Sequence, residues 1–265
     1  LNLWGITISP NGTFALVADY YSNQIRKLIL STAQVSLLAG DPSTNGGSTN
    51  GIGSNSKFWN PRSVTISSDQ SYCLIADFGN SHIRKLIIST TQATLFAGQT
   101  TAGLANGVGS NAQFTSPYGV SLSSDNSFSL VADTNNHQIR KIITSTQEVS
   151  LLVGDSSATS GSLNGIGTNA QFNTPRHVVI SSDYSFALVA DSYNHQIRKI
   201  IISTLSVSVF AGSLTPLAGS TNGIGTNSKF YYPSSLSLSS DQSYCLVADT
   251  SNNQIRKIIM STISV

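Results

Sequence analysis

One string recurs five times along this chain: Ala-Asp, followed six residues after the Asp by Ile-Arg-Lys. The aspartates are Asp19, Asp77, Asp133, Asp191 and Asp249, spaced 58, 56, 58 and 58 residues apart. Their basic partners are Arg26-Lys27, Arg84-Lys85, Arg140-Lys141, Arg198-Lys199 and Arg256-Lys257. Other features keep the same phase. Phe58 with Pro61, Phe114 with Pro117, Phe172 with Pro175 and Phe230 with Pro233 precede the four later copies, and a Gly-x-Gly segment precedes each of those (Gly51–Gly53, Gly107–Gly109, Gly165–Gly167, Gly223–Gly225). Self-similarity at a fixed period restricts the fold to stacked copies of one supersecondary unit.

Within the second unit four strand-like runs are legible: Ser63–Ser67, Tyr72–Ala76, His82–Ile88 and Gln92–Ala97. Turn residues separate them, and Val, Ile, Leu and Phe fill them with little polar alternation, so both faces are expected to be buried. No segment combines helix caps with an apolar stripe at helical spacing. A four-stranded unit at this period reads as a blade of an all-β propeller built of antiparallel four-stranded blades. One blade cannot bury two faces alone, so neighbours must stack on it. Five copies suggest five blades, with six as the alternative. No apolar run reaches the ~18 residues of a membrane span, because 46 Ser and 24 Thr interrupt every one.

The run Val131-Ala132-Asp133-Thr134-Asn135-Asn136-His137-Gln138-Ile139-Arg140-Lys141 resembles the signature of NHL repeats, as does Val189 through Lys199. The Phe-x-x-Pro and the Ala-Gly that ends fourth strands match that family as well. The resemblance covers essentially the whole chain and implies a single NHL-type propeller domain over 1–265, with repeats near 1–57, 58–113, 114–171, 172–229 and 230–265. Opening at the equivalent of Trp59 and stopping at the equivalent of Val35, the chain is expected to be a piece of a longer protein. The resemblance leaves function open: NHL propellers include RNA binders, a peptide-processing lyase, sensors and extracellular modules.

Charge is scarce, with 14 basic and 12 acidic residues. Ten of the basic residues belong to the Arg-Lys pairs; five of the acidic ones are the motif aspartates. Asp69, Asp125, Asp183 and Asp241 fall in the first hairpin turn, where Asx side chains bond nearby amides. Each motif Asp is expected to form a buried ion pair with a motif Arg, in preference to five carboxylates converging on a metal. A net charge of +2 provides no basic surface for nucleic acid.

Antiparallel strand order puts the Gly-rich loops and the Asp-to-Ile hairpins on one rim, where the repeats differ. Trp4, Arg62, Tyr118 and Arg176 occupy one variable slot, and Tyr20, Tyr21, Phe78 and Tyr193 another, so these eight are the candidate binding residues. Covering the hydrophobic blade ends is the competing role for the aromatics. His82, His137, His177 and His195 fall at three different repeat positions and make no metal-ligand spacing, although the family's lyase holds zinc through histidines. No catalytic triad, phosphate loop or carboxylate pair stands out, so neither catalysis nor a cofactor is expected. Cys73 and Cys245 occupy one small-residue packing slot in different repeats and are expected to be free buried thiols.

The expected function is therefore a non-enzymatic extracellular or cell-surface module that assembles with other proteins or copies of itself. Its resemblance to NHL-bearing surface proteins of unicellular eukaryotes points to a filament or flagellar-hair glycoprotein. A sequon at Asn11-Gly12-Thr13 and the hydroxyl-rich surface fit glycosylation. The alternatives are a propeller that binds a peptide or carbohydrate through the aromatic and arginine rim and, less favoured, a metal-dependent lyase.

Overall fold

The computed structural model describes residues 3–265. It is an all-β, five-bladed propeller of antiparallel four-stranded blades. No α-helix occurs among the described residues, and the eight helical segments are single 3-10 turns. Two compact units divide the chain, Leu1–Ser129 with Ile142–Ser150 and Leu130–Lys141 with Leu151–Val265, so the third repeat contributes strands to both.

In the first unit the strands of repeat 1 are Leu3–Ile8, Phe14–Asp19, Gln24–Ile29 and Gln34–Ala39. Those of repeat 2 are Pro61–Ile66, Tyr72–Asp77, His82–Ile87 and Gln92–Ala97. Each strand pairs with the next, and Gly51–Ile52 from the long loop adds an edge to Gln92–Ala97. The second strands are buried along their whole length. Leu16, Ala18 and Ile25 of repeat 1 lie in one core with Val64, Ile66 and Leu86 of repeat 2. Apolar runs without alternation therefore serve two sheet-on-sheet junctions at once.

The second unit repeats the arrangement. Pro175–Ile180, Phe186–Asp191, Gln196–Ile201 and Ser206–Ala211 form repeat 4, with Gly165–Ile166 along its last strand. Repeat 5 has Pro233–Leu238, Tyr244–Asp249 and Gln254–Ile259, and Ser264 bridges to both Ile259 and Ile224. Here Leu188, Ala190 and Ile197 pack with Leu236, Val247 and Ile258. Cys73 and Cys245 are buried free thiols whose pKa burial pushes up, which makes them unreactive packing residues.

Turn chemistry fixes the register. Asp69 Oδ1 accepts from Ser67 Oγ at 2.6 Å and from the Ser71 amide at 3.1 Å, and Gln70 takes the left-handed position at φ 61°. Asp183 and Asp241 hold the same turn by accepting from the amides of Ser185 and Ser243. Asn11 does so in repeat 1, with Gly12 at φ 68°. In the Gly-x-Gly segment the first glycine is forced by close approach, since a Cβ on Gly51 would lie 2.6 Å from the Asn55 carbonyl oxygen.

Hydrogen bonds from the flanking serines hold the Asp183 and Asp241 carboxyls down at about 2, below the usual 3.8. A depressed folded-state pKa contributes stability above the unfolded value that is lost as pH falls through the folded one. Replacing both by alanine should lower the melting temperature at neutral pH. That deficit should shrink as pH falls from about 4 to about 2, as read by circular dichroism against the parent.

Candidate functional site

The motif Asp ends the second strand, and the chain then makes a 3-10 turn into the third strand, which carries the motif Arg seven residues on. Asp and Arg thus face each other across one hairpin. Arg84 Nη1 donates to Asp77 Oδ2 at 3.2 Å, and the Arg140, Arg198 and Arg256 pairs measure 3.0, 2.9 and 3.0 Å. Arg84, Arg140 and Arg198 are fully buried. The carboxylate is well satisfied: Asp77 also accepts from the Trp59 amide at 2.7 Å and Asn80 Nδ2 at 2.8 Å. Burial pushes the Asp77 and Asp191 carboxyls up to about 6, against the pull of the guanidinium and the amide donors.

The guanidinium reaches further. Arg84 donates to the carbonyls of Lys57 and Thr49 and to Asn50 Oδ1, and Arg198 donates to Gln171, Leu163 and Asn164 in the same way. Each also sits 5.3 Å from the ring centre of its motif Phe, Phe58 or Phe172. The Arg84 and Arg198 pairs, and the Arg256 pair likewise, tie the incoming loop to the blade that follows it. Arg26 differs: its Nε donates to Asp19 at 2.7 Å, and its side chain is 32% exposed. The asparagine before the Gly-x-Gly is a further scaffold residue, at a fixed offset of 34 residues from the Arg in Asn50, Asn164 and Asn222.

Junctions between blades use a second set of positions. Asn60 donates its amide to Asn23 Oδ1 at 2.7 Å, Thr174 to His137 Nδ1 at 2.9 Å and Tyr232 to His195 Nδ1 at 3.2 Å. The two histidines are thus acceptors in equivalent slots, and burial lowers both pKa values, in keeping with that role. His177 Nδ1 accepts from Leu236, and burial lowers its pKa to about 4. Among the described residues no three His, Cys, Asp or Glu side chains converge on one point.

The candidate rim residues fall into two groups. In the first unit Trp4, Tyr20, Phe78 and Tyr118 surround Arg62, with ring centres 4.5, 4.3, 4.4 and 4.6 Å from its guanidinium carbon. The rings also meet edge to face, Trp4 against Tyr118 at 5.7 Å and Phe78 against Tyr118 at 6.0 Å. Tyr21 stands against Tyr20 and is 62% exposed. In the second unit Arg176 lies 5.7 Å from the Tyr193 ring, which packs on Tyr232. Tyr231 and Tyr232 stack and flank His195. Asn11 sits in its exposed turn with Oδ1 accepting from the Thr13 hydroxyl at 2.8 Å.

No protein-family model matches the chain. It is 31% identical to the NHL repeat-containing protein 2 of Homo sapiens over 162 residues, which is 57% of this chain and 22% of that protein. The chain thus spans about a fifth of the length of that curated relative. Among solved structures it superposes on an auxiliary nutrient binding protein from Bacteroides thetaiotaomicron with a TM-score of 0.72 at 15% identity, covering 96% of this chain and 58% of that one. Streptogramin B lyase superposes at 0.63 with 13% identity, covering 99% of this chain and 67% of the lyase. At such identities the structural likeness shows the fold alone. The chain has an NHL-type propeller fold, one that fits a protein-interaction module, though some proteins with this architecture are enzymes.

Removing one partner of a buried ion pair strands the other charge. Arg198→Met should therefore cost about 3–5 kcal/mol in urea unfolding. Arg26→Met, at the half-exposed pair, should cost distinctly less. Equal costs would contradict the role assigned to the loop acceptors.

Proposed function

We propose that this chain is a non-enzymatic module that assembles blade to blade with further copies of itself. The observation that carries this reading is the pair of uncovered blade faces. In repeat 1, Ile6, Ile8 and Val35 are 64%, 60% and 56% exposed, whereas the equivalent Val64, Ile66 and Ala93 of repeat 2 are buried. An apolar groove of about 280 Å³ opens there, lined by Ile6, Val17, Leu28 and Val35. In repeat 5, Ile255 is 71% and Leu246 37% exposed, whereas the equivalent Ile197 and Leu188 of repeat 4 are fully buried.

These two faces are the two halves of one recurring junction. Inside the second unit, Leu188, Ala190 and Ile197 cover Leu236, Val247 and Ile258; Leu246, Ala248 and Ile255 are the same residues one repeat later, and Ile6, Val17 and Leu28 are their counterpart in repeat 1. A second copy therefore offers a face of the right shape and chemistry. The contact is head to tail, and repetition of a head-to-tail contact builds an open filament or a ring. We place the assembly outside the cell, in keeping with the scarce charge, the hydroxyl-rich surface and the sequon on an exposed turn.

Sedimentation velocity should show mass rising with concentration. Ile6→Glu and Ile255→Glu should each stop growth, while an equimolar mixture of the two should form dimers only, since each retains one intact face. A chain monomeric at every concentration, or one stabilised only by fusion of a further repeat, would contradict assignment of the faces to a second copy. Mass spectrometry of native material should find a glycan on Asn11, and an unmodified Asn11 would count against the extracellular placement.

A further inference from the structure

The five motif arginines all have a carboxylate, whereas Arg62 has none among the described residues. Its contacts are the four rings of Trp4, Tyr20, Phe78 and Tyr118, and its Nε is buried without an acceptor. Arg62 is only partly buried, and among the described residues its terminal nitrogens neither donate a hydrogen bond nor are sealed from water. Aromatic faces attract a guanidinium through their quadrupoles. They offer no lone pair in line with its N–H bonds, however, so the donor fork remains unspent. A planar cation locked between rings has also lost most of its rotamer freedom before any ligand arrives.

We propose that this boxed arginine is a recognition site for a single carboxylate presented by a protein partner, at a glutamate or aspartate side chain or a C-terminus. The chemistry of the box selects the anion. A guanidinium fork matches a planar carboxylate with two parallel hydrogen bonds. The walls are neutral, and Lys57, the other basic residue outside the motif in this unit, is paired with Asp41 at 3.2 Å. One cation with neutral walls balances one negative charge, whereas a phosphate dianion would be left half neutralised. The Trp4 ring, 36% exposed, adds an apolar surface for the group that bears the carboxylate. Trp4 also lines the apolar groove of repeat 1, so the site is tested on unassembled protein, where its failure is distinct from failure of the blade-face reading.

The test follows the two indole N–H resonances of the parent protein, Trp4 in the box and Trp59 as an internal control, at a dilution where the mass is constant. N-acetylphenylalanine should shift Trp4 saturably, with an effect that weakens on adding salt, while N-acetylphenylalaninamide should not. Arg62→Gln should weaken the binding by at least about tenfold, and Arg62→Lys, which keeps the charge in the box but lacks the fork, should weaken it less. The two variants together keep the test decisive if one fails to fold by circular dichroism. No saturable shift, equal shifts by acid and amide, or unchanged binding in the folded variants would overturn the site. Tighter binding of inorganic phosphate would overturn the carboxylate assignment, and binding of glucuronate without N-acetylphenylalanine would overturn the peptide source.

Discussion

The buried Asp–Arg pair of each hairpin is what the rest of the structure depends on. A buried ion pair alone barely offsets the desolvation of its charges. These pairs do more, because the arginine also holds the carbonyls and the asparagine of the loop that delivers the first strand of its own blade. Arg84 and Arg198 each distribute their N–H groups between their own aspartate and that loop. A loop rich in Gly, Ser and Asn has little buried hydrophobic content beyond its motif Phe, so polar bonds from a fixed cation help to position it. The scarcity of charge elsewhere follows: most basic residues of the chain are committed to the motif.

That commitment makes Arg62 stand apart. It sits in the first strand of repeat 2, a slot that is Trp4 in repeat 1, Tyr118 in repeat 3, Arg176 in repeat 4 and Ser234 in repeat 5. Scaffold positions repeat because every blade needs them. This one varies, and in the first unit its occupants converge around one cation. The exposed faces of repeats 1 and 5 follow the same logic in reverse, since Ile6 and Ile255 are exposed there whereas Val64 of repeat 2 and Ile197 of repeat 4 are buried.

The fold was legible because its signals are local and periodic. The four runs of repeat 2 were placed within one or two residues, since the Ser-x-Asp turns and Ala-Asp hairpins punctuate them chemically. The candidate rim was legible only as a set of variable aromatic and arginine positions. That Tyr118 would be buried while Tyr21 stood exposed depends on ring-to-ring packing across three repeats, which spacing does not encode. The sequence shows that the histidines make no metal-ligand spacing, but not that His137 and His195 are structural acceptors between blades. Their shared slot was visible, but the amide each accepts lies 37 residues away, beyond any local pattern. The loop asparagines likewise meet their arginines 34 residues away, beyond any local pattern.

The central claim is that the motif arginine acts on the loop as well as on its aspartate. A double-mutant cycle between Arg198 and Asn164, using Arg198→Met and Asn164→Ala with stability read from urea unfolding, measures this directly. The account predicts a coupling of about 1–3 kcal/mol, because the 2.8 Å bond joins a buried cation to its loop acceptor. Additive effects of the two substitutions would show that the loop is held by something else and would contradict it.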